Sequence, residues 1–307
     1  MPRKTPARHF KKFCRAAIHI STLPLPPLRG HPLQTGLLSA LILGTAWVAT
    51  MFSAATVAAA PMPISLTLIT STIPAGDSRS LTELTTKLED LQATVHMVKC
   101  DSKELEKISL DFQRSYRLQD LLRHITLEYK QPGKLRISGS NKVLGKAAII
   151  MNGSLRSYRG PLAPAKVEDL KGSPGKRQSL LEYGGLLSPE TLSFMQGKFV
   201  REEMLDGQMV PIFDMTYKGV TGGSYYRVWF DPKIHITLKR EWYDFDGKLK
   251  ATFYYQEPKE VAEGVWLPKQ VEVRNAEGIS AAITSIDLDS VKINQGLSDD
   301  LFAIAHL

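Results

Sequence analysis

Between Lys107 and Ile293 apolar residues recur at every second position in run after run, and short turn dipeptides separate the runs. That combination confines a chain to antiparallel strands joined by hairpins. Ile108, Leu110 and Phe112 alternate with Ser109, Asp111 and Gln113, which predicts a half-buried strand. Ile125, Leu127 and Tyr129 repeat the pattern, and Leu135 with Ile137 follows a Pro132-Gly133 turn. Asn152-Gly153, Asp206-Gly207 and Asp246-Gly247 each lie between alternating runs as hairpin turns, and Asp231-Pro232 is a weaker turn of the same kind. Ile234 to Leu238, Leu249 to Tyr255, Val271 with Val273, and Ile283 to Ile293 continue the series. The expectation is a mainly β (α+β) fold, an antiparallel meander of about ten or eleven strands.

Two regions break the period of two. Ser80 and Glu83 make a capping-box pair, and Leu81, Leu84, Leu88, Leu91, Val95 and Val98 follow at intervals of three and four, predicting an amphipathic helix that ends at Cys100 to Ser102. In the middle, Arg177 to Tyr183 reads as helical, and Ser188-Pro189-Glu190 supplies an N-cap, a first-turn proline and an acidic first turn for a short helix through Met195. A large curved sheet with one N-terminal helix and one central helical insertion has to bury its concave face against them. Pro61 to Arg79, rich in Ser, Thr and Pro, reads as a linker, so the folded domain is expected over 80–307.

The formal net charge of +8 suggests a nucleic-acid or membrane-surface binder until its position is considered. Seven of the 39 Lys and Arg residues lie within 1–60, where there is no Asp or Glu, and the remaining 32 face 31 acidic residues. A near-neutral body does not draw the counterion release that dominates nucleic-acid affinity, so no nucleic-acid partner is expected. Leu37 to Ala60 is apolar or small throughout and long enough to cross a bilayer. With its basic flank and small-residue end, 1–60 reads as a basic leader and signal peptide. Val57 and Ala59 fit the cleavage rule, which would start the mature chain at Ala60; left uncut, the same segment is a signal anchor. Either way the domain is expected in the periplasm or at the extracytoplasmic face of the inner membrane.

Chemistry-bearing motifs are sparse. There is no G-x-S-x-G elbow, and Gly222-Gly223-Ser224 reads as a loop between strands. His96, His124, His235 and His306 look scattered, without metal-ligand spacing. Gly172 to Lys176 departs from a phosphate loop at Leu170 and Arg177. Cys100 stands alone beyond the leader's Cys14 and reads as a small residue just after a helix. No catalytic residue, metal or cofactor is expected. The aromatic strands, among them Tyr217, Tyr226, Trp229, Trp242 and Tyr255, fit both a filled barrel and the lining of an apolar hollow.

The order of elements resembles the periplasmic lipoprotein carrier (LolA-like) superfamily over roughly residues 80 to 305. The segments that carry the resemblance are Ile108 to Gln113, Tyr129 to Arg136 and the Asn152-Gly153 hairpin, then Val228-Trp-Phe-Asp231-Pro232 with Leu238-Lys-Arg240, Tyr243 to Lys248, Gly264 to Pro268 and Leu297 to Phe302. The later ones look like the outer-membrane lipoprotein-sorting branch. The resemblance implies an unclosed antiparallel β-barrel with helices as a lid, binding lipid acyl chains or lipidated cargo without catalysis. Membrane-bound donor and acceptor proteins would then be partners. On this reading Leu110, Phe112, Leu127, Tyr129, Val228, Phe230 and Phe253 line the hollow, and Leu84, Leu88 and Leu91 are lid contacts. The family's arginine before the strand-breaking proline is Gln131 here, so its lid-locking role does not carry over. The rival reading is a membrane-anchored envelope-stress sensor or regulatory interaction protein on the same fold.

Overall fold

The computed structural model describes residues 80–122, 124–143, 145–160 and 166–304. The leader, the apolar segment, the linker and His306 lie outside them. Thirteen strands form one antiparallel sheet, two or three more than the alternation counts: β1 (Asp90–Cys100), β2 (His124–Lys130), β3 (Lys134–Asn141), β4 (Gly145–Asn152), β5 (Leu155–Arg159), β6 (Lys166–Asp169), β7 (Met195–Leu205), β8 (Gln208–Tyr217), β9 (Tyr225–Asp231), β10 (Ile236–Tyr243), β11 (Leu249–Ala262), β12 (Val265–Asn275) and β13 (Ser280–Ile293). Neighbours in the sheet follow the chain except where β1 pairs with β13, so the order runs β6-β5-β4-β3-β2-β1-β13-β12-β11-β10-β9-β8-β7. The chain enters at the centre of the sheet, and β6 and β7 are its edges. The sheet is an unclosed half-barrel. The hairpins at Asn152-Gly153, Asp206-Gly207 and Asp246-Gly247 form where the dipeptides place them.

Two predicted elements exchange type. Residues expected to form the N-terminal helix instead make a short 3-10 turn, Leu81–Leu84, and then β1. Leu91, Ala93 and Val95 also stand at every second position, and a strand there is hydrogen-bonded on both sides, to β2 and β13. A centre position in the sheet overrides a local three-and-four spacing. Conversely, the expected strand at Ile108 to Gln113 is helical. Two helices occupy the region, α1 (Ser102–Ile108) and α2 (Leu110–Leu122). Asp101 caps α1 by accepting from the amides of Lys103 and Glu104 at 3.0 and 3.3 Å, and the Ser109 hydroxyl accepts from the Phe112 amide at 3.1 Å. Two caps and a run of helix formers outweigh four alternating residues. Cys100 accordingly ends a strand and precedes a helix.

Between the two edges, residues 170–194 carry α3 (Leu180–Gly184) and α4 (Pro189–Phe194). Ser179 and Glu182 close a capping box on α3, and the Ser188 hydroxyl accepts from the Thr191 amide to cap α4. Gly185 ends α3 in the left-handed region, where a Cβ would stand 2.9 Å from the Tyr255 ring. The crossing is bound to the middle strands: the Tyr255 hydroxyl donates to the Leu181 carbonyl at 2.7 Å, and the Thr237 amide to that of Gly185 at 2.9 Å. Core packing follows this route. One cluster gathers Leu88, Leu91, Leu127, Tyr129 and Leu180, and a second gathers Leu84, Leu181, Phe194, Val228 and Phe230. A third puts Leu105 and Ile108 of α1 against Phe253 and Val273.

Candidate ligand cavity beneath helix α2

α1 and α2 are covered to different degrees. Leu105 and Ile108 of α1 are fully buried, and its end is tied to the sheet by Asn275 Nδ2 donating to Glu104 at 2.6 Å. Over its thirteen residues α2 buries only Leu122. Phe112, Tyr116 and Leu118 are half-buried, and Leu110 is 53% exposed on the outer side. Beneath α2 lies a cavity of about 190 Å³, and a second of about 30 Å³ shares Ser115, Gln119 and Tyr183 with it.

One wall of the larger cavity is aromatic. The Phe112 ring stacks on Trp242 at 5.5 Å between centroids and 17° between planes, and meets Tyr116 at 5.8 Å and Phe253 at 6.0 Å. A buried cation adjoins this wall. Arg240, 2% exposed, stands on β10 directly across from Phe253 of β11 and Val228 of β9. Its guanidinium lies 4.0 Å from the Phe253 ring centroid and 4.8 Å from that of Tyr226. Such contacts stabilise a desolvated cation by about 2 kcal/mol, against a burial cost of several. The nearest carboxylate, Glu182 Oε1, is 3.9 Å from Arg240 Nη1, beyond hydrogen-bond range. Glu182 is itself held by the Ser179 amide and hydroxyl at 2.7 and 2.8 Å.

Around this arginine burial raises the phenols of Tyr116, Tyr183 and Tyr226, and pushes that of Tyr255 up to about 12. At neutral pH these groups are therefore protonated donors. Arg240 Nε, Arg177 Nε and Gln178 Oε1, all buried, have no hydrogen-bond partner among the described residues, and all three residues line this one cavity.

Of the residues expected to line a hollow, Phe112 and Phe253 stand on the border of this cavity. Phe112 reaches it from a helix and not from the expected strand. Leu110 faces away, Leu127 and Tyr129 are packed in the first cluster, and Val228 and Phe230 are packed in the second. Leu84, Leu88 and Leu91 are buried in the same two clusters, on a 3-10 turn, a connecting segment and β1, so the expected lid helix does not exist at that position. Gln131 donates through Nε2 to the Leu88 carbonyl, fastening that segment to the turn after β2.

Sequence reasoning missed Arg240, Tyr116 and Tyr183. For Arg240 part of the signal was present: it shares parity with Trp242 two residues on, while a register shift between Thr237 and Lys239 puts it out of step with Ile236 at the start of the strand. The histidines expected to be scattered are partly brought together as well. His96 and His124 face each other across β1 and β2 with Nδ1 atoms 2.8 Å apart, on the exposed side and apart from the cavity.

A family model described as "Uncharacterized protein" matches residues 183–307. No curated protein matches the sequence. Solved structures similar to this chain include a LolA superfamily protein from Nitrosomonas europaea, 14% identical, covering 72% of this chain and 93% of that one with a TM-score of 0.47. A putative outer membrane lipoprotein-sorting protein domain from Vibrio parahaemolyticus is 14% identical over 72% and 92% of the two chains, with a TM-score of 0.42. A DUF1329 family protein from Desulfovibrio piger is 16% identical over 73% and 92%, with a TM-score of 0.40. These are likenesses of fold alone.

Proposed function

We propose that this chain is a non-enzymatic envelope protein that holds the apolar part of a lipid or lipidated cargo in the hollow under α2. The observation that carries this reading is a thirteen-residue helix that lies over a cavity of about 190 Å³ and buries a single residue. Cavities of this size in close-packed interiors are uncommon, and apolar ones take up apolar molecules. The lining offers aromatic rings, phenols that stay protonated and one buried cation, a set suited to binding; it pairs no nucleophile with a base.

The volume corresponds to roughly six water-sized spaces, so a short stretch of chain fits beneath a seated α2, and a full acyl chain requires the helix to lift. Export by the basic leader would place this binding in the periplasm or at the outer face of the inner membrane. Ferrying lipoproteins between membrane-bound donor and acceptor proteins is the more specific form of the same reading. Native mass spectrometry of the full chain, together with uptake of an apolar fluorescent probe, tests it. Co-purifying lipid and saturable uptake are the expected result, and a chain that takes up no apolar probe would overturn the reading.

A further inference from the structure

Resting on the reading of this cavity as a ligand site, we infer that its ligand is an amphiphile carrying an ionised acid group, carboxylate or phosphate, and that Arg240 receives that group. Arg240 is 2% exposed and so far from bulk water that its charge has to be met by the protein or by a ligand. The protein meets it in part. The rings of Phe253 and Tyr226 favour the charge and the Tyr226 and Tyr255 hydroxyls lie within reach of it, but an aromatic face does not accept the in-plane N–H bonds of a guanidinium. Those in-plane donors are the ones that bind carboxylate and phosphate in pairs. Arg240 Nε has no acceptor among the described residues, and Glu182 Oε1 stays 3.9 Å away while Oε2 of the same carboxylate is held in the cap of α3.

The neighbouring wall repeats the pattern. Arg177, which lies 3.9 Å from Glu190, also leaves its buried Nε without a partner among the described residues. Gln178 Oε1 finds no donor there; turning the amide over would present its nitrogen to an anion instead. Lys176 adds a further cation to the lining, and the remaining charges are compensated or distant. Arg156 is paired with Glu168, and Asp111 lies 3.9 Å from Arg114. An acid group at Arg240 leaves its tail beside Phe112 and Trp242, the aromatic part of the same lining. The site thus joins a cation with an unused donor to aromatic surface in one cavity, a pairing that suits an amphiphile and not a hydrocarbon.

The test is the ratio of affinities of the full chain for a medium-chain fatty acid and for the fatty alcohol of the same length. Both are read at neutral pH by displacement of an apolar fluorescent probe. A charge-assisted hydrogen bond that an alcohol cannot replace should favour the acid by at least about tenfold. Arg240→Met should collapse that ratio, whereas Glu182→Gln, which removes the competing carboxylate and keeps a capping amide, should raise it. The second variant and the wild-type ratio decide the matter if the first does not fold. An alkyl phosphate binding like the acid, or more weakly, assigns the group to phosphate or carboxylate. Acid and alcohol bound equally well by the wild type would overturn the inference and leave the carrier reading standing. Inorganic phosphate displacing the acid at equal concentration would overturn the amphiphile assignment, and binding of neither lipid would overturn the carrier reading itself.

Discussion

A single hydroxyl joins the central insertion to the middle of the sheet. Tyr255 donates to the Leu181 carbonyl at 2.7 Å in a fully buried setting, and its ring fills the space against which Gly185 has to be glycine. Tyr255→Phe keeps the ring and strands a buried carbonyl, so it should destabilise the chain by about 1–3 kcal/mol in a denaturant titration. Burial raises this phenol from 10 to about 12, so the folded state favours the neutral form. Its contribution is whole below pH 10 and is lost as pH climbs from 10 to 12, where the unfolded phenol ionises. The variant should therefore have a shallower alkaline limb than the wild type; an unchanged limb and unchanged stability would show that the bond contributes nothing. Such a contact is invisible in sequence, since nothing at Tyr255 or Leu181 marks two residues 74 positions apart as partners. Arg240 stands on the other side of that divide. Its parity with Trp242 was readable, but the register shift earlier in β10 was not, and the two rings beside it and the carboxylate out of reach come from three other elements.

Among the elements, hairpins were legible because their turn chemistry is local: Asn152-Gly153 or Asp206-Gly207 admits left-handed backbone wherever the rest of the chain goes. The region from Leu81 to Gln113 was not. Leu81, Leu84, Leu88 and Leu91 fit a helical stripe as well as the segment that enters a sheet at its centre, and only pairing with β2 and β13 decides between them. The true amphipathic cover, α2, was concealed by four residues that alternate at its start. This reassignment moves the expected effect of mutation. Leu88→Asp puts a carboxylate into the first core cluster, where Leu88 is 4% exposed, and should cost roughly 4 kcal/mol or more, unfolding the domain cooperatively. Leu118→Asp lies on the half-buried underside of α2 and should leave the β-type circular dichroism intact while altering uptake of an apolar probe. If Leu118→Asp unfolded the sheet and Leu88→Asp did not, α2 would be core and the cover would have to be sought elsewhere.

For the molecule as a whole, the β1–β13 ladder joins two halves that are otherwise successive hairpins, so the most deeply paired strands are also those that bring the two ends of the domain together. Stability should then be uneven, highest in β1, β2 and β13 and lowest in α2, which has a single buried residue. Amide hydrogen exchange reads this difference directly. Binding must stabilise the native state overall: at a hundredfold excess over Kd the gain is about 2.7 kcal/mol, a rise in Tm of about 5–10 °C for a domain of this size. How that gain is distributed depends on the ligand. A small apolar probe that fits within about 190 Å³ should slow exchange in α2, because it fills the space below a seated helix. A long acyl chain exceeds that space and has to displace the helix, so α2 amides should exchange faster while those of β1 and β13 exchange more slowly. Opposite signs in one helix, with a common sign in the central strands, are what a removable cover produces. Exchange in α2 as slow as in β1 without any ligand, and indifferent to both, would mean that the helix is a permanent part of the core.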